Sequence, residues 1–459
     1  MTYIFTFDAS ACSGCKTCQE ACKDKNELPV GVLWRRVFEV SGGEWKSTGR
    51  AWENSVFAYN LTLACNHCRH PKCAGVCPTD AYTVRPDGIV LLDSSRCMGC
   101  GYCAWACPYD APQYDGKLGV MTKCNFCYDN LDAGLPPTCV SACPLRVLEY
   151  GTIEALSTFK DGRNLWQLPA TEHPFPLPNY SRTEPRLAIK PHIGMKSPLE
   201  KTVSNREEIQ PGRSSENKYG IPAFRELPLV AFSLLAQMAA GMAASGLVIS
   251  PLPQPVLLTI GILLGIGGLI SFLHLGRKPN AWRSVIHIKK SWLSREILMA
   301  GLFGVAWLLT VGSGWLHVTS TGLWLMAILG FGLVYSMSQV YLLRAVPVWN
   351  SWRTPAAFFL SAITLGVLGV NLAALVPDWG FIVGLALAAE MGLALTARPL
   401  VGKVANKLRL ILLGLGIMSA VLTVIFPQAS GLEVIIPVFV VVLAGEAIGR
   451  WQFYAERLA

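Results

Sequence analysis

The pattern of apolar and polar positions divides the chain near Leu227. From there onward the sequence runs in apolar stretches of about 20 residues, the length that carries an α-helix across a bilayer. Eight such helices are predicted: 227 to 249, 255 to 275, 296 to 315, 321 to 343, 356 to 376, 379 to 397, 409 to 427 and 432 to 453. Trp451 and Tyr454, in the closing GEAIGRWQFYAERLA, suit an interfacial aromatic belt. Residues from about 160 to 226 are polar and proline-bearing, which predicts an extended strap around the first module and then a flexible linker. Earlier still, short strands alternate with turns. GIVLLD (Gly88 to Asp93) reads as a strand, VFEVSGGEWKS as a hairpin turning at Ser41 to Gly43, and APQYDGKLGVMTKC as another turning at Asp115-Gly116.

Composition sharpens this division. The 459 residues are 52% hydrophobic and 15% charged, with a mean hydropathy of +0.39, as expected when much of the chain lies in lipid. All 16 cysteines fall between Cys12 and Cys143. The expected plan is a cysteine module over 1–195, a linker over 196–226 and a membrane module over 227–459. Met1 to Ser10 has neither a basic start nor an apolar run, so no secretory leader is expected, and Arg35-Arg36 is a twin arginine in letters only.

The cysteines form four quartets: Cys12, Cys15, Cys18, Cys22; Cys65, Cys68, Cys73, Cys77; Cys97, Cys100, Cys103, Cys107; and Cys124, Cys127, Cys139, Cys143. Two-residue spacing lets the thiolates of one turn converge on a cubane, while the cysteine three residues later, often followed by proline, points to a neighbouring cluster. Cys77-Pro78, Cys107-Pro108 and Cys143-Pro144 fit; Cys22-Lys23 lacks the proline. Quartets then work in pairs, as four clusters in two ferredoxin-like halves. Four-thiolate zinc sites are an alternative, although they seldom show the C-x-x-C-x-x-C-x-x-x-C-P run. A disulfide scaffold requires an oxidising compartment. Trp34, Trp52 and Trp105 are expected as core shielding the clusters. The net charge of +9 falls to about +1 if each cluster carries roughly two negative charges. It is therefore no argument for nucleic acid, and no nucleic-acid partner is expected.

CSGCKTCQEACKDKNELP, FAYNLTLACNHC, APQYDGKLGVMTKC and SACPLRVLEYG resemble the four-cluster electron-transfer subunit of the dimethyl sulfoxide reductase family, over about residues 1 to 195. The resemblance implies four [4Fe-4S] clusters, since Cys103 stands where some relatives replace a cysteine and carry a three-iron cluster. It implies the sets Cys12, Cys15, Cys18, Cys143; Cys65, Cys68, Cys73, Cys107; Cys97, Cys100, Cys103, Cys77; and Cys124, Cys127, Cys139, Cys22. The fold class expected is an α+β ferredoxin-like iron-sulfur domain of two crossed dicluster halves, followed by an all-α bundle of eight transmembrane helices.

Charge orients the bundle. Of the 14 Lys and Arg residues after position 226, six lie between the second and third helices, two and four at the next even connections, and two at the C-terminal end. The positive-inside rule makes this basic side cytoplasmic, in a multi-pass protein of the prokaryotic cytoplasmic membrane. Part of the bias can equally serve docking or anionic lipid. Ionisable residues in the spans are few: His274, Glu296, Glu390 and Glu446. Four scattered groups do not make a polar chain through a bilayer, which argues against a proton pump.

His274 and Glu296 flank the basic connection HLGRKPNAWRSVIHIKKSWLSRE at the face expected for the cluster domain. A quinol losing two electrons also loses two protons, and imidazole and carboxylate suit its hydroxyls. The plainer alternative is an interfacial histidine bonded to a carbonyl and a helix N-terminal glutamate favoured by the dipole. HLG, S-x-E, VPVWNSWRTPAAFF and GEAIGR resemble the polytopic anchor subunit of the same family. That resemblance makes His274 and Glu296 its menaquinol residues. It also implies a separate molybdopterin-containing catalytic subunit as partner, with the lipid bilayer and quinol pool. The same wiring run in reverse, in a sulfite-oxidising or other sulfur-compound enzyme that reduces quinone, is the rival reading. Ion translocation and a zinc-bearing scaffold are the others.

Overall fold

The computed structural model describes residues 1–43, 45–49, 51–156, 177, 183–190, 192, 226–248, 252–313, 320–374, 380–396, 403–426 and 431–455. The chain forms two units, Met1–Ile221 and Pro222–Ala459. In the first, the strands are β1 (Tyr3–Asp8), β2 (Arg36–Gly42), β3 (Trp45–Thr48), β4 (Ala51–Asn54), β5 (Phe57–Leu63), β6 (Tyr82–Val84), β7 (Val90–Leu92), β8 (Gln113–Asp115), β9 (Val120–Thr122), β10 (Leu148–Thr152) and β11 (Leu187–Lys190). Six short helices interleave with them: α1 (Thr17–Lys25), α2 (Lys72–Val76), α3 (Tyr102–Ala106), α4 (Tyr128–Asp132), α5 (Thr138–Ser141) and α6 (Ile153–Leu156).

A three-stranded sheet ordered β10-β1-β11 ties the ends of the unit together. Phe5 of β1 stands opposite Tyr150 in the antiparallel direction and Leu187 in the parallel one. Phe5, Phe7, Leu61, Phe126 and Leu148 form one core with Cys18, Cys22, Cys139 and Cys143, and a second core joins Tyr82, Val90 and Met121 to Cys77, Cys97 and Cys103. Helix α1 packs on α5 and α2 on α3. The elements of the first quartet thus meet those of the fourth, and those of the second meet those of the third.

The strand expected at Gly88 to Asp93 is β7, and the hairpin expected at Asp115-Gly116 is the β8–β9 pair. There Asp115 Oδ1 accepts from the amides of Lys117 and Leu118 at 2.8 and 3.1 Å. The hairpin expected at Ser41 to Gly43 does not form. Instead β2 pairs with β5 along its whole length, from Arg36 opposite Leu63 to Gly42 opposite Phe57. The reason is burial. Strand β5 supplies Tyr59, Leu61 and Leu63 to the core beside Val40, whereas every residue of β3 and β4 is exposed. Gly43, at φ +89°, takes the chain out of the sheet where a Cβ would strike the backbone of Ser55. Trp105 is buried and Trp34 half-buried, its Nε1 donating to Thr122 Oγ1 at 3.1 Å. Trp52 corrects the sequence reading: it lies on β4, 67% exposed.

Of the expected strap, 183–190 are described and belong to the fold. The amides of Arg69 and His70 donate to the carbonyls of Glu184 and Thr183, and Arg186 Nη1 donates to the His67 carbonyl at 2.6 Å. The linker 196–226 lies outside the described residues except for Glu226.

The second unit is built of helices: α7 (Leu227–Ser245), α8 (Gln254–Leu273), α9 (Trp292–Ser313), α10 (Ser320–Val340), α11 (Arg353–Ala374), α12 (Gly380–Thr396), α13 (Lys403–Ile425) and α14 (Leu432–Ala455). Among the described residues seven of these are long and apolar enough to cross a membrane. Helix α12 has 17 residues, about 26 Å of helix. Helix α7 is surrounded by α8, α10 and α11, and α12, α13 and α14 pack in succession. With lipid outside, close van der Waals packing holds such helices together, and small residues permit it. At Gly241 and Gly366 the backbones of α7 and α11 come together. A Cβ on Gly241 would lie against the Ala362 carbonyl and 2.9 Å from Gly366 Cα.

Replacing Gly366 by Val should therefore separate α7 from α11 and destabilise the bundle by roughly 1–3 kcal/mol or more. A lowered midpoint in a thermal unfolding assay of the detergent-solubilised protein checks this; an unchanged midpoint would mean that the two backbones do not touch.

Candidate functional site

None of the sixteen cysteines forms a disulfide, and the fold joins to the first three cysteines of a quartet the last cysteine of another. Cys12, Cys15, Cys18 and Cys143 line one cavity, and Cys65, Cys68, Cys73 and Cys107 line another. Cys22 lies in the electrostatic field of Cys139 and Cys127, and Cys124 in that of Cys22 and Cys139. Cys100 and Cys103 sit beside Cys97 and Cys77. The four sets adjoin in a row. Cys18 and Cys139 share a core, Cys124 and Cys65 share another, and Tyr82 stands between Cys73 of one set and Cys77 and Cys103 of the next.

The backbone shapes each site. In every quartet the residue before the second cysteine is left-handed: Gly14 (φ 71°), His67 (42°), Gly99 (73°) and Phe126 (64°). That conformation turns successive amides inward, forming a concavity that accepts anions. The amides of Gly99 and Phe126 donate to the sulfurs of Cys97 and Cys124 at 3.3 and 3.4 Å, and those of Met121 and Ala81 to Cys97 and Cys77, both at 3.4 Å. Glycine adopts this φ without penalty; His67 and Phe126 adopt it under strain.

Burial pushes the Cys22, Cys100 and Cys107 thiols up to about 12, with neighbouring thiols adding to the effect. Thiols so placed carry negative charge only against a bound cation, and binding then releases their protons. Arg35 makes the same point from the other side. It is 2% exposed, its guanidinium lies 4.6 Å over Phe5, and Nη1 donates to Thr62 Oγ1 at 3.2 Å. Nε and Nη2 are buried without an oxygen acceptor among the described residues, beside Cys18, Cys22, Cys124 and Cys139. Donors left in this way fit a cluster whose sulfurs would receive them. Lys123 is also buried, donating to the carbonyls of Val90 and, at 3.0 Å, Cys124. His67 Nδ1 accepts from the Val90 amide at 3.0 Å. Burial, with Lys123 and Arg186 nearby, holds this imidazole well below its usual pKa. Neither Arg35 nor Lys123 was legible as a site residue. Arg35 stands out only as half of a misleading pair, whose other half, Arg36, is an ordinary ion pair with Asp110 at 3.2 Å.

In the helical unit His274 caps the C-terminal end of α8, half-buried. Helix α9 starts at Trp292, so Glu296 lies one turn inside it and is buried. Glu296 is brought within electrostatic reach of Tyr341 and Tyr454, whose hydroxyls are hydrogen-bonded at 2.5 Å. Glu226, buried at the start of α7, faces Tyr454 as well. Glu390 and Glu446 line one cavity.

Comparison with known proteins places these features. The family model described as the 4Fe-4S dicluster domain matches residues 56–153, and that of the DMSO reductase anchor subunit (DmsC) matches residues 222–383. The probable anaerobic dimethyl sulfoxide reductase chain YnfG of Escherichia coli (strain K12) is 44% identical over 209 residues, 45% of this chain and 98% of that protein. A second anaerobic dimethyl sulfoxide reductase subunit, from the same strain, matches with the same identity and coverage. The thiosulfate reductase electron transfer subunit PhsB of Salmonella typhi is 38% identical over 154 residues, 33% of this chain and 77% of that protein.

Replacing Arg35 by Gln removes a buried positive charge beside two of the thiol sets. One charge at this range is worth on the order of 100 mV at an effective dielectric near 20. The variant should keep its iron and acid-labile sulfide while potentiometric titration followed by electron paramagnetic resonance shows two cluster potentials lowered; unshifted potentials would refute the role.

Proposed function

Because this protein belongs to the dimethyl sulfoxide reductase family, joining an iron-sulfur electron-transfer subunit and an anchor-subunit region in one polypeptide, we propose that it oxidises menaquinol. The electrons pass through four [4Fe-4S] clusters to a separate molybdopterin-containing catalytic subunit. The observation that supports this reading most directly is that the fold brings the last cysteine of one quartet to the first three of another: Cys143 to Cys12, Cys15 and Cys18, and Cys107 to Cys65, Cys68 and Cys73. Cys12, Cys15, Cys18 and Cys143 hold one cluster; Cys65, Cys68, Cys73 and Cys107 a second; Cys97, Cys100, Cys103 and Cys77 a third; Cys124, Cys127, Cys139 and Cys22 a fourth. Bound clusters supply one-electron carriers. The protein supplies the inward amides, the cations Arg35 and Lys123, and the apolar cover that excludes water.

Menaquinol binds where α8 ends and α9 begins. His274 and Glu296 accept its hydroxyl hydrogen bonds and take the protons as electrons leave. All eight helices cross the membrane of a prokaryotic cell, α12 as the shortest. The basic connections face the cytoplasm, and so does the iron-sulfur unit that precedes α7.

His274→Ala and Glu296→Gln should each slow oxidation of a naphthoquinol by about a hundredfold or more. Cluster content and resonance spectra should stay as in the parent protein. Turnover that survives both substitutions would put the quinol elsewhere.

A further inference from the structure

The sequence distributes Glu296, Glu390 and Glu446 over three helices, and the fold links them. Glu296 lies in the electrostatic field of the hydrogen-bonded Tyr341–Tyr454 hydroxyl pair, and Arg450 in that of both tyrosines and of Glu446. Arg450 is held firmly: Nη2 donates to Gln237 Oε1 at 2.9 Å, and the guanidinium lies 3.8 Å over the Phe358 ring. Glu446 Oε2 accepts from Ser361 Oγ at 2.7 Å, and its carboxyl lies beside that of Glu390 on the wall of one cavity. Two ionised carboxylates have no donor between them, so the two can share a hydrogen bond only when the pair holds one proton.

Beyond the pair is a cavity of about 380 Å³, lined by Glu390, Glu446, Arg409, Arg450 and Ser361 and reaching Ser351 in the connection before α11. Glu390 and Glu446 are 1% and 3% exposed. Both carboxyl oxygens of Glu390, Oε1 of Glu446 and Nε of Arg450 find no hydrogen-bond partner among the described residues. Buried polar atoms facing a polar cavity of this size are completed by water. Arg353, Arg409 and Arg450 are the charges facing the pair from α11, α13 and α14.

We propose that Tyr341, Tyr454 and the Glu446–Glu390 pair are a proton exit path, carrying protons released at Glu296 to the water of this cavity. The path rests on the quinol reading above. One quinol becomes one quinone and releases two electrons and two protons; the electrons reduce two one-electron acceptors of the iron-sulfur unit, and the protons follow singly. Each enters the carboxyl pair as the one before it leaves to the cavity. Arg450 stays charged throughout and acts as a positioning residue.

The test uses the full-length protein with its clusters in lipid nanodiscs and a short-tailed naphthoquinol. Glu446→Gln and Glu390→Gln should bind the naphthoquinol as the parent does, yet reduce their clusters at least about tenfold more slowly in stopped flow. Glu446→Asp should recover most of the rate. So should millimolar formate, a weak acid small enough for the cavity, which a purely structural loss would not permit. Infrared spectra at neutral pH should show a protonated-carboxyl band that both Gln variants lack. Unchanged cluster reduction in both variants, or no such band in the parent, overturns the path while leaving sensitivity to Glu296→Gln in place. Cluster reduction indifferent to Glu296→Gln instead removes the quinol site, and the path with it.

Discussion

Both units answer one constraint: charge taken out of water must meet opposite charge or hydrogen-bond donors, or it is not kept. In the first unit the charge is thiolate. The thiols are buried deeply enough that the Cys22, Cys100 and Cys107 sulfurs are pushed up to about 12, and only metal makes anions of them at neutral pH. The strands are short and mostly paired in twos, so the sheets alone give little core. The cysteines themselves fill it, as Cys18, Cys22, Cys139 and Cys143 do among Phe5, Phe7 and Leu148. A core of this kind is stable with its cofactors and poorly specified without them.

The same constraint explains the backbone at the four sites. An amide that donates to sulfur cannot also serve a helix or a strand, so each quartet begins in a turn of left-handed residues, and a helix starts only afterwards. Helix α1 follows Lys16 at φ 61° and α3 follows Gly101 at 81°. Glycine is used where the turn can be bare, at Gly14 and Gly99. His67 and Phe126 bear the strain because their side chains are needed: the two rings meet edge to face at 5.2 Å, and Phe126 stacks on Phe5 at 4.0 Å. Their packing holds the second and fourth quartets against β1.

What was legible in the sequence follows from the range over which each signal acts. The C-x-x-C spacing and the 20-residue apolar runs are local, and they located the sulfurs and seven long helices to within a few residues. The hairpin expected at Ser41 to Gly43 failed because a glycine turn looks the same whether the next strand or a later one pairs with β2. Only the burial of Tyr59, Leu61 and Leu63 decides between them. Trp52 was misjudged because an aromatic residue in a strand carries no mark of which face is covered. Arg35 was invisible for a similar reason, since its neighbours Cys124 and Cys139 are far along the sequence. Glu390 and Glu446, which read as scattered, are 56 positions apart in sequence and line one cavity in the fold.

That shared cavity also bears on what the bundle can do with protons. Apart from Glu433, each Asp, Glu, Lys or Arg within α7–α14 lies in the half of its helix nearer a basic connection. A charge at the centre of a bilayer costs several kcal/mol, and far less near the end of a helix, where it reaches polar surroundings. A polar path restricted to one end is therefore cheap to maintain, and under the proposal above it would return protons to the side where the quinol gives them up. Extending it across the membrane would require a continuous file of polar groups between α7 and α11, where Thr364 and Asn371 are the buried polar residues of α11 beyond Ser361. Five residues beyond Ser361, Gly366 meets Gly241 backbone to backbone, with no side group separating the helices. The packing that holds the bundle together thus leaves no side chain at the Gly241–Gly366 contact to carry such a path further.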